Sequence, residues 1–274
     1  MRSAGIHNSR RRLLALLLAE LVSAVLLIGR PAATPAPVLA IPAATVEAPA
    51  ASGSTTITLP DGRTADLVSL GGADSDALLR RIAAELGDAA ATVSEFWGTQ
   101  WRRDITVVAT GSDAQFSALA GGGADIAAAT TVDRILFAPG AAAMNPDDLR
   151  IVLRHELFHF AAREATAADA PRWLTEGVAD YVARPRTAAP ARDQLTALPT
   201  DADLDTAGQT RSSAYDRAWW FATYVADRYG REALRALYER ACGPGHPDVA
   251  TAVRETLGAD LDDVVAGWTG RQAG

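Results

Sequence analysis

His155-Glu156-Leu157-Phe158-His159 constrains this chain more than any other segment. Two imidazoles four residues apart stand on one face of a helix, with Cβ atoms roughly 5–6 Å apart, and can close on one metal ion without distorting the backbone. Glu156 lies about 100° around the helix from His155. That rotation turns its carboxylate toward a water held by the ion rather than toward the ion itself. The run from Leu149 to Ala162 is apolar on nearly every face, the pattern of a buried helix. Buried imidazoles and a buried carboxylate need partners, and a metal ion supplies them. Asn145, Pro146, Asp147 and Asp148 predict the start of this helix as an N-cap, a first-turn proline and two acids at the positive helix end.

A second segment, Trp173-Leu174-Thr175-Glu176-Gly177-Val178-Ala179-Asp180-Tyr181, separates a metal site from a chance occurrence of the five-residue pattern. Leu174, Val178, Tyr181 and Val182 recur at helical spacing, and Glu176 follows His159 by 17 residues. The small Gly177 and Ala179 predict a close approach of this helix to the metal helix. Two histidines and a glutamate leave zinc one position for water. Such a water has a pKa near ~7, and Glu156 is placed to take its proton as general base. Asp180, four residues beyond Glu176, is expected to accept the outer N–H of a ligating histidine and fix its tautomer. The expectation is one zinc ion per chain, held by His155, His159 and Glu176.

At these residues the chain resembles the gluzincin metallopeptidases, specifically their peptidase-MA-like group. The resemblance covers about the last 130 residues and rests on HELFHFAA, WLTEGVADYVA and SSAYDRAWWFATYVADRYGREALRALYERA. It implies an α+β, zincin-like fold, with a small N-terminal mixed sheet over the metal helix and a helical C-terminal lobe. It also implies that His155, His159 and Glu176 are zinc ligands, Glu156 the base and Asp180 the carboxylate behind the ligands. Tyr215, in Tyr215-Asp216-Arg217-Ala218, resembles the tyrosine of the aminopeptidase branch, whose hydroxyl stabilises a tetrahedral oxyanion; a neutral phenol can be pre-aimed at developing charge. Tyr181, Tyr224 and Tyr229 are its rivals, since a lone tyrosine is commonly a packed ring with a polar tip. By the same resemblance, the strand before the metal helix, Arg134–Ala138, is an edge strand that pairs with a peptide.

Two departures limit the resemblance. The glutamate ligand stands two residues nearer the histidine pair than in the aminopeptidases. Their Gly-x-Met-Glu-Asn strand, whose glutamate holds a substrate amine, has no counterpart here: Ala141-Ala142-Ala143-Met144-Asn145 lacks the glutamate. Aminopeptidase specificity is therefore not implied. The first 130 residues resemble no family we can name.

The 274 residues suit a signal, a linker and one catalytic domain. Arg10, Arg11 and Arg12 precede an apolar run from Leu13 to Ile28 broken by Glu20, and Val38-Leu39-Ala40 offers a small-residue cleavage site. Residues 1–40 thus read as an export signal or an uncleaved signal anchor, 41–54 as a Pro/Ala/Ser/Thr-rich linker, and 55–274 as the domain. Within it, 55–145 is β-rich and 146–274 carries the metal site and the helices. The expected elements are a hairpin around Pro60-Asp61-Gly62, a helix over Asp74–Trp97 with Leu78, Leu79, Ile82, Ala83, Leu86 and Ala90 inward, and a strand at Ile105–Ala109. A short helix at Ser112–Leu119, a Gly121–Gly123 turn and strands at Asp125–Thr131 and Arg134–Ala138 follow. Segment 184–212 reads as a loop, and helices are expected near 213–230, 231–241, 247–257 and 261–269.

Residues 1–40 hold five arginines and one glutamate, so the remainder carries 21 arginines against 32 acids, a net charge of −11. That charge argues against nucleic acid or an anionic membrane surface as partner; membrane association would come only through the N-terminal segment. The single cysteine, Cys242, excludes an intramolecular disulfide, and it reads as a small residue near a helix end. His246, in a Gly/Pro loop, reads as solvated. The leading expectation is an exported zinc peptidase that hydrolyses peptide or protein substrate. A catalytically silent binding module of the same fold, or a metallohydrolase of a non-peptide amide or ester, are the alternatives. An intact Glu156 argues against a silent site, which has no use for a base beside the ligands.

Overall fold

A computed structural model describes residues 53–121, 126–187 and 197–270. The export signal and most of the linker therefore lie outside the described residues. The chain is α+β, with a five-stranded mixed sheet. Strand β1 (Gly53–Thr58) and strand β2 (Thr64–Ser69) form the antiparallel hairpin expected from Pro60-Asp61-Gly62. Gly62 sits at φ 82° and its N–H donates to the Leu59 carbonyl, a turn that a side chain would strain. Helix α1 (Gly72–Trp97) leads to β3 (Asp104–Ala109), which runs parallel to β2. Helix α2 (Asp113–Ala120) is capped by the Ser112 hydroxyl and precedes β4 (Ala128–Thr130) and β5 (Ile135–Phe137). Gly122, Gly123 and Asp125 lie outside the described residues.

The strand order is β1-β2-β3-β5-β4, with β5 parallel to β3 and antiparallel to β4. This overturns one expectation. The strand before the metal helix is internal, and the edge belongs to β4. Alternation along the strands sorts the two faces. Val107, Ile135 and Phe137 enter the main core with α1, while Val108 and Leu136 join Phe116 of α2 in a smaller cluster on the other face.

Helix α3 (Pro146–Ala162) begins as its sequence requires: the Asn145 side chain accepts from Asp148 N at 2.9 Å and Pro146 occupies the first turn. It packs on α1, β4, β5 and α4 (Arg172–Ala183). Under it, Phe158 meets Trp97 and Tyr238 edge to face, with centroids 5.6 and 5.4 Å away. The chain finishes with α6 (Gln209–Tyr229), α7 (Arg231–Cys242), α8 (Val249–Leu257) and α9 (Leu261–Thr269). Cys242 ends α7 fully buried, where burial pushes its thiol pKa up and keeps it inert. His246 is half-buried rather than solvated, its Nδ1 2.9 Å from the Pro247 carbonyl.

Segment 184–212 is less loop-like than its composition implied. Of its described residues, Asp201–Asp205 form a short helix, α5, and α6 starts at Gln209. Thr200 and Asp203 make a reciprocal capping box, and buried Arg211 donates to the Leu204 carbonyl at 2.8 Å. Thr and Asp here are helix caps, which composition alone reads as loop.

Gly177 also departs from expectation. The close approach it permits is to α6, not to the metal helix: a Cβ there would stand 2.5 Å from the Ala218 carbonyl oxygen. Gly177→Ala must therefore push α4 and α6 apart. The expected loss is about 1–3 kcal/mol of unfolding free energy, as for other overpacked sites. Urea denaturation measures it, and unchanged stability would contradict this packing.

Candidate metal centre

His155 and His159 project from one face of α3, and Glu176 projects toward them from α4. Their ligand atoms converge: His159 Nε2 to His155 Nε2 is 3.0 Å, His155 Nε2 to a Glu176 oxygen 3.1 Å, and His159 Nε2 to the other oxygen 3.5 Å. Among the described residues these three form the group of His, Cys, Asp or Glu able to hold a metal ion. The edges can be tested against zinc. Ligands about 2.0–2.1 Å from zinc at tetrahedral angles stand about 3.3 Å apart. The two imidazole nitrogens, and the Glu176 oxygen nearest each of them, stand near that spacing, so the residues fit the ion.

Electrostatics point the same way. Burial pushes the Glu176 carboxyl up, but the charges and hydrogen bonds of His159 and His155 outweigh it and hold its pKa at about 2. Glu176 is thus ionised at any working pH. His155 and Glu176 are sealed, whereas the His159 side chain keeps 16% of its surface accessible, so the centre opens on the His159 side.

Behind the ligands, His155 Nδ1 lies 2.9 Å from Asp180 Oδ1. A proton held there leaves the Nε2 lone pair facing Glu176 and His159. Sequence reasoning missed what holds Asp180. Arg184 Nη2 lies 2.6 Å from Asp180 Oδ2, as an ion pair rather than an aligned hydrogen bond, and Nη1 donates to Asp216 at 2.9 Å. The same guanidinium stacks over Trp219, 4.8 Å from the ring centroid. Burial pushes the Asp216 carboxyl up, and Arg184 pulls it back. The i, i+4 spacing of Asp180 and Arg184 was the available signal.

Glu156 is buried and its two oxygens differ. Oε2 accepts a 2.5 Å hydrogen bond from the Thr130 hydroxyl, which also lies 2.9 Å from the Glu156 carbonyl. Oε1 is buried without a hydrogen-bond partner among the described residues. Thr130 was also missed, because only the packing of edge strand β4 on α3 brings residue 130 to residue 156.

Tyr215 lies on α6, the helix packed against α4, and is buried. It interacts electrostatically with Arg172, one turn ahead of Glu176 on α4, and Arg172 also interacts with Glu176 and is 2.8 Å from Asp205. Tyr181 instead packs edge-on against Phe96 and Tyr224 is half-buried beside α9, both as core-type rings.

No family model matches the chain, and no curated protein matches it. Solved structures similar to it include a mutant of a two-domain M1 zinc metallopeptidase bound to L-arginine, at 14% identity and a TM-score of 0.48, covering 79% of this chain and 51% of that one. Legionella pneumophila aminopeptidase A in complex with aspartic acid is similar at 15% identity and a TM-score of 0.46, covering 79% of this chain and 27% of that one. The chain thus spans about half the length of the first and about a quarter of the second.

Proposed function

We propose that this chain is a zinc-dependent peptidase, exported by its N-terminal segment, with His155, His159 and Glu176 as ligands and Glu156 as general base. The observation that carries the reading is the convergence of three ligand atoms near a buried carboxylate oxygen that has no hydrogen-bond partner among the described residues. When bound, zinc supplies a Lewis acid that acidifies water and polarises a carbonyl. Glu156 takes the proton at Oε1 and returns it to the leaving amine, while Thr130 holds Oε2 and so fixes the direction in which Oε1 points. Asp180 keeps the His155 ring aimed. Tyr215 donates its hydroxyl proton as a hydrogen bond to the oxyanion.

The outer edge of β4 supports a peptide as substrate. This strand ends the sheet and lies along α3, so an extended chain adding to it would run past Glu156. In this reading residues 55–145 form the lobe above the centre and 146–274 the metal site and helical lobe. Export is inferred from Arg10–Arg12 and the apolar run that ends at Ile28.

Three measurements test the reading. Purified protein should hold one zinc, and Ala at His155, His159 or Glu176 should abolish stoichiometric binding; tight zinc retained by His155→Ala contradicts the ligand set. Glu156→Gln should keep zinc while hydrolysis of a peptide library falls about 10²–10⁴-fold, the usual worth of a general base. Thr130→Val should cut kcat roughly 10–100-fold, the equivalent of the 1.5–3 kcal/mol of a hydrogen bond to a charged group, with KM little changed. Wild-type turnover in a zinc-loaded variant of either residue would sink the mechanism.

Tyr215→Phe separates an oxyanion donor from a packed ring. A donor acting only in the transition state loses about 10²–10³ in kcat with KM unaltered. A core tyrosine would keep its kcat and shift only its melting temperature.

A further inference from the structure

The charges behind the metal ligands form an unbroken chain. His155 Nδ1 meets Asp180, Asp180 meets Arg184, and Arg184 meets Asp216. These residues come from three helices: α3 carries His155, α4 carries Asp180, and α6 carries Asp216 next to Tyr215. Arg184 follows the last residue of α4 and donates its backbone N–H to the Asp180 carbonyl at 2.9 Å, so the main chain also fixes it beside Asp180. Its guanidinium is 10% exposed, lies over the Trp219 ring and bridges two carboxylates, which a planar fork does and a point charge does poorly.

We propose that Arg184 is a positioning residue of the metal centre, acting through Asp180 to hold the His155 ring in its ligating orientation and tying that carboxylate to α6 through Asp216. The proposal rests on the reading of His155, His159 and Glu176 as a zinc site. Without Arg184, the contact of Oδ1 with His155 would be left to orient the Asp180 carboxylate. With Oδ2 paired to an anchored guanidinium, its Oδ1 has a single place to be. The ring then presents Nε2 to the ion without paying orientational entropy at the moment of binding, which raises affinity.

The test is zinc affinity, measured with zinc ion alone against a chromophoric chelator, so that no substrate is needed. Arg184→Met should weaken zinc binding about 10–100-fold, as loss of partners behind metal ligands does. Arg184→Lys, which keeps the charge but loses the fork that also reaches Asp216, should recover only part of that loss. The decisive arm is a double-mutant cycle. If Arg184 acts through Asp180, Arg184→Met in an Asp180→Asn background should change the zinc Kd by less than about 2-fold, because the partner it acts on is gone. An equal loss in both backgrounds, or wild-type affinity in Arg184→Met, overturns the proposal. If Arg184→Met alone fails to fold, Arg184→Lys and the comparison of Asp180→Asn with the double variant, in which charge and countercharge leave together, decide the matter. A wild-type protein that binds no zinc defeats the site reading itself, and is distinguished from a failure of Arg184 because it appears before any variant is made.

Discussion

Negative charge buried between α3 and α4 is the constraint on which the rest depends. Glu156, Glu176 and Asp180 are each about 1% exposed, and the guanidinium paired with Asp180, Arg184, is shared with Asp216. Carboxylates removed from water require compensation or they protonate. The Nε2 atoms of His155 and His159 face Glu176 at 3.1 and 3.5 Å, and a divalent cation held at the same point would supply that compensation. The proposed chemistry follows from this buried charge, since a cation at the point where His155, His159 and Glu176 converge would compensate it.

Packing details serve the same arrangement. Gly177, next to Glu176, lets α6, the helix from which Asp216 reaches Arg184, come down onto α4 at Ala218. On the opposite side, β4 leans on α3 and brings Thr130 to Glu156. Glu156 is therefore oriented by the sheet, while His155 is oriented by α4 and, through Arg184, by α6. Orientation by separate elements means that the base and the ligands can be perturbed one at a time, as Thr130 and Arg184 variants do.

Much of the centre was legible because its signals are local. The i, i+4 histidines, the Asn145 cap and the helical spacing around Glu176 all operate within a turn or two of chain. What failed to show was non-local. Nothing in the spacing of Ala128-Ala129-Thr130 says that β4 rather than Arg134–Ala138 forms the edge, since strand order depends on pairing across the sheet. Gly177 reads as a close-approach residue, yet a small residue permits contact without naming the partner, which is Ala218 of α6 rather than the metal helix. In segment 184–212, Thr200 and Asp203 carry polar side chains whose meaning depends on whether a helix follows. Arg184 stood in plain view four residues beyond Asp180, yet its second partner, Asp216, is 32 residues away.

The central claim is that α3 and α4 hold one zinc ion between His155, His159 and Glu176. Anomalous diffraction recorded on both sides of the zinc absorption edge tests it most directly, in crystals grown with the metal. The expected result is one strong anomalous peak, about 2.0–2.2 Å from the Nε2 atoms of His155 and His159 and from a Glu176 oxygen. A peak at Cys242 or His246 instead, or none between α3 and α4 in protein that is folded and zinc-saturated, would contradict it.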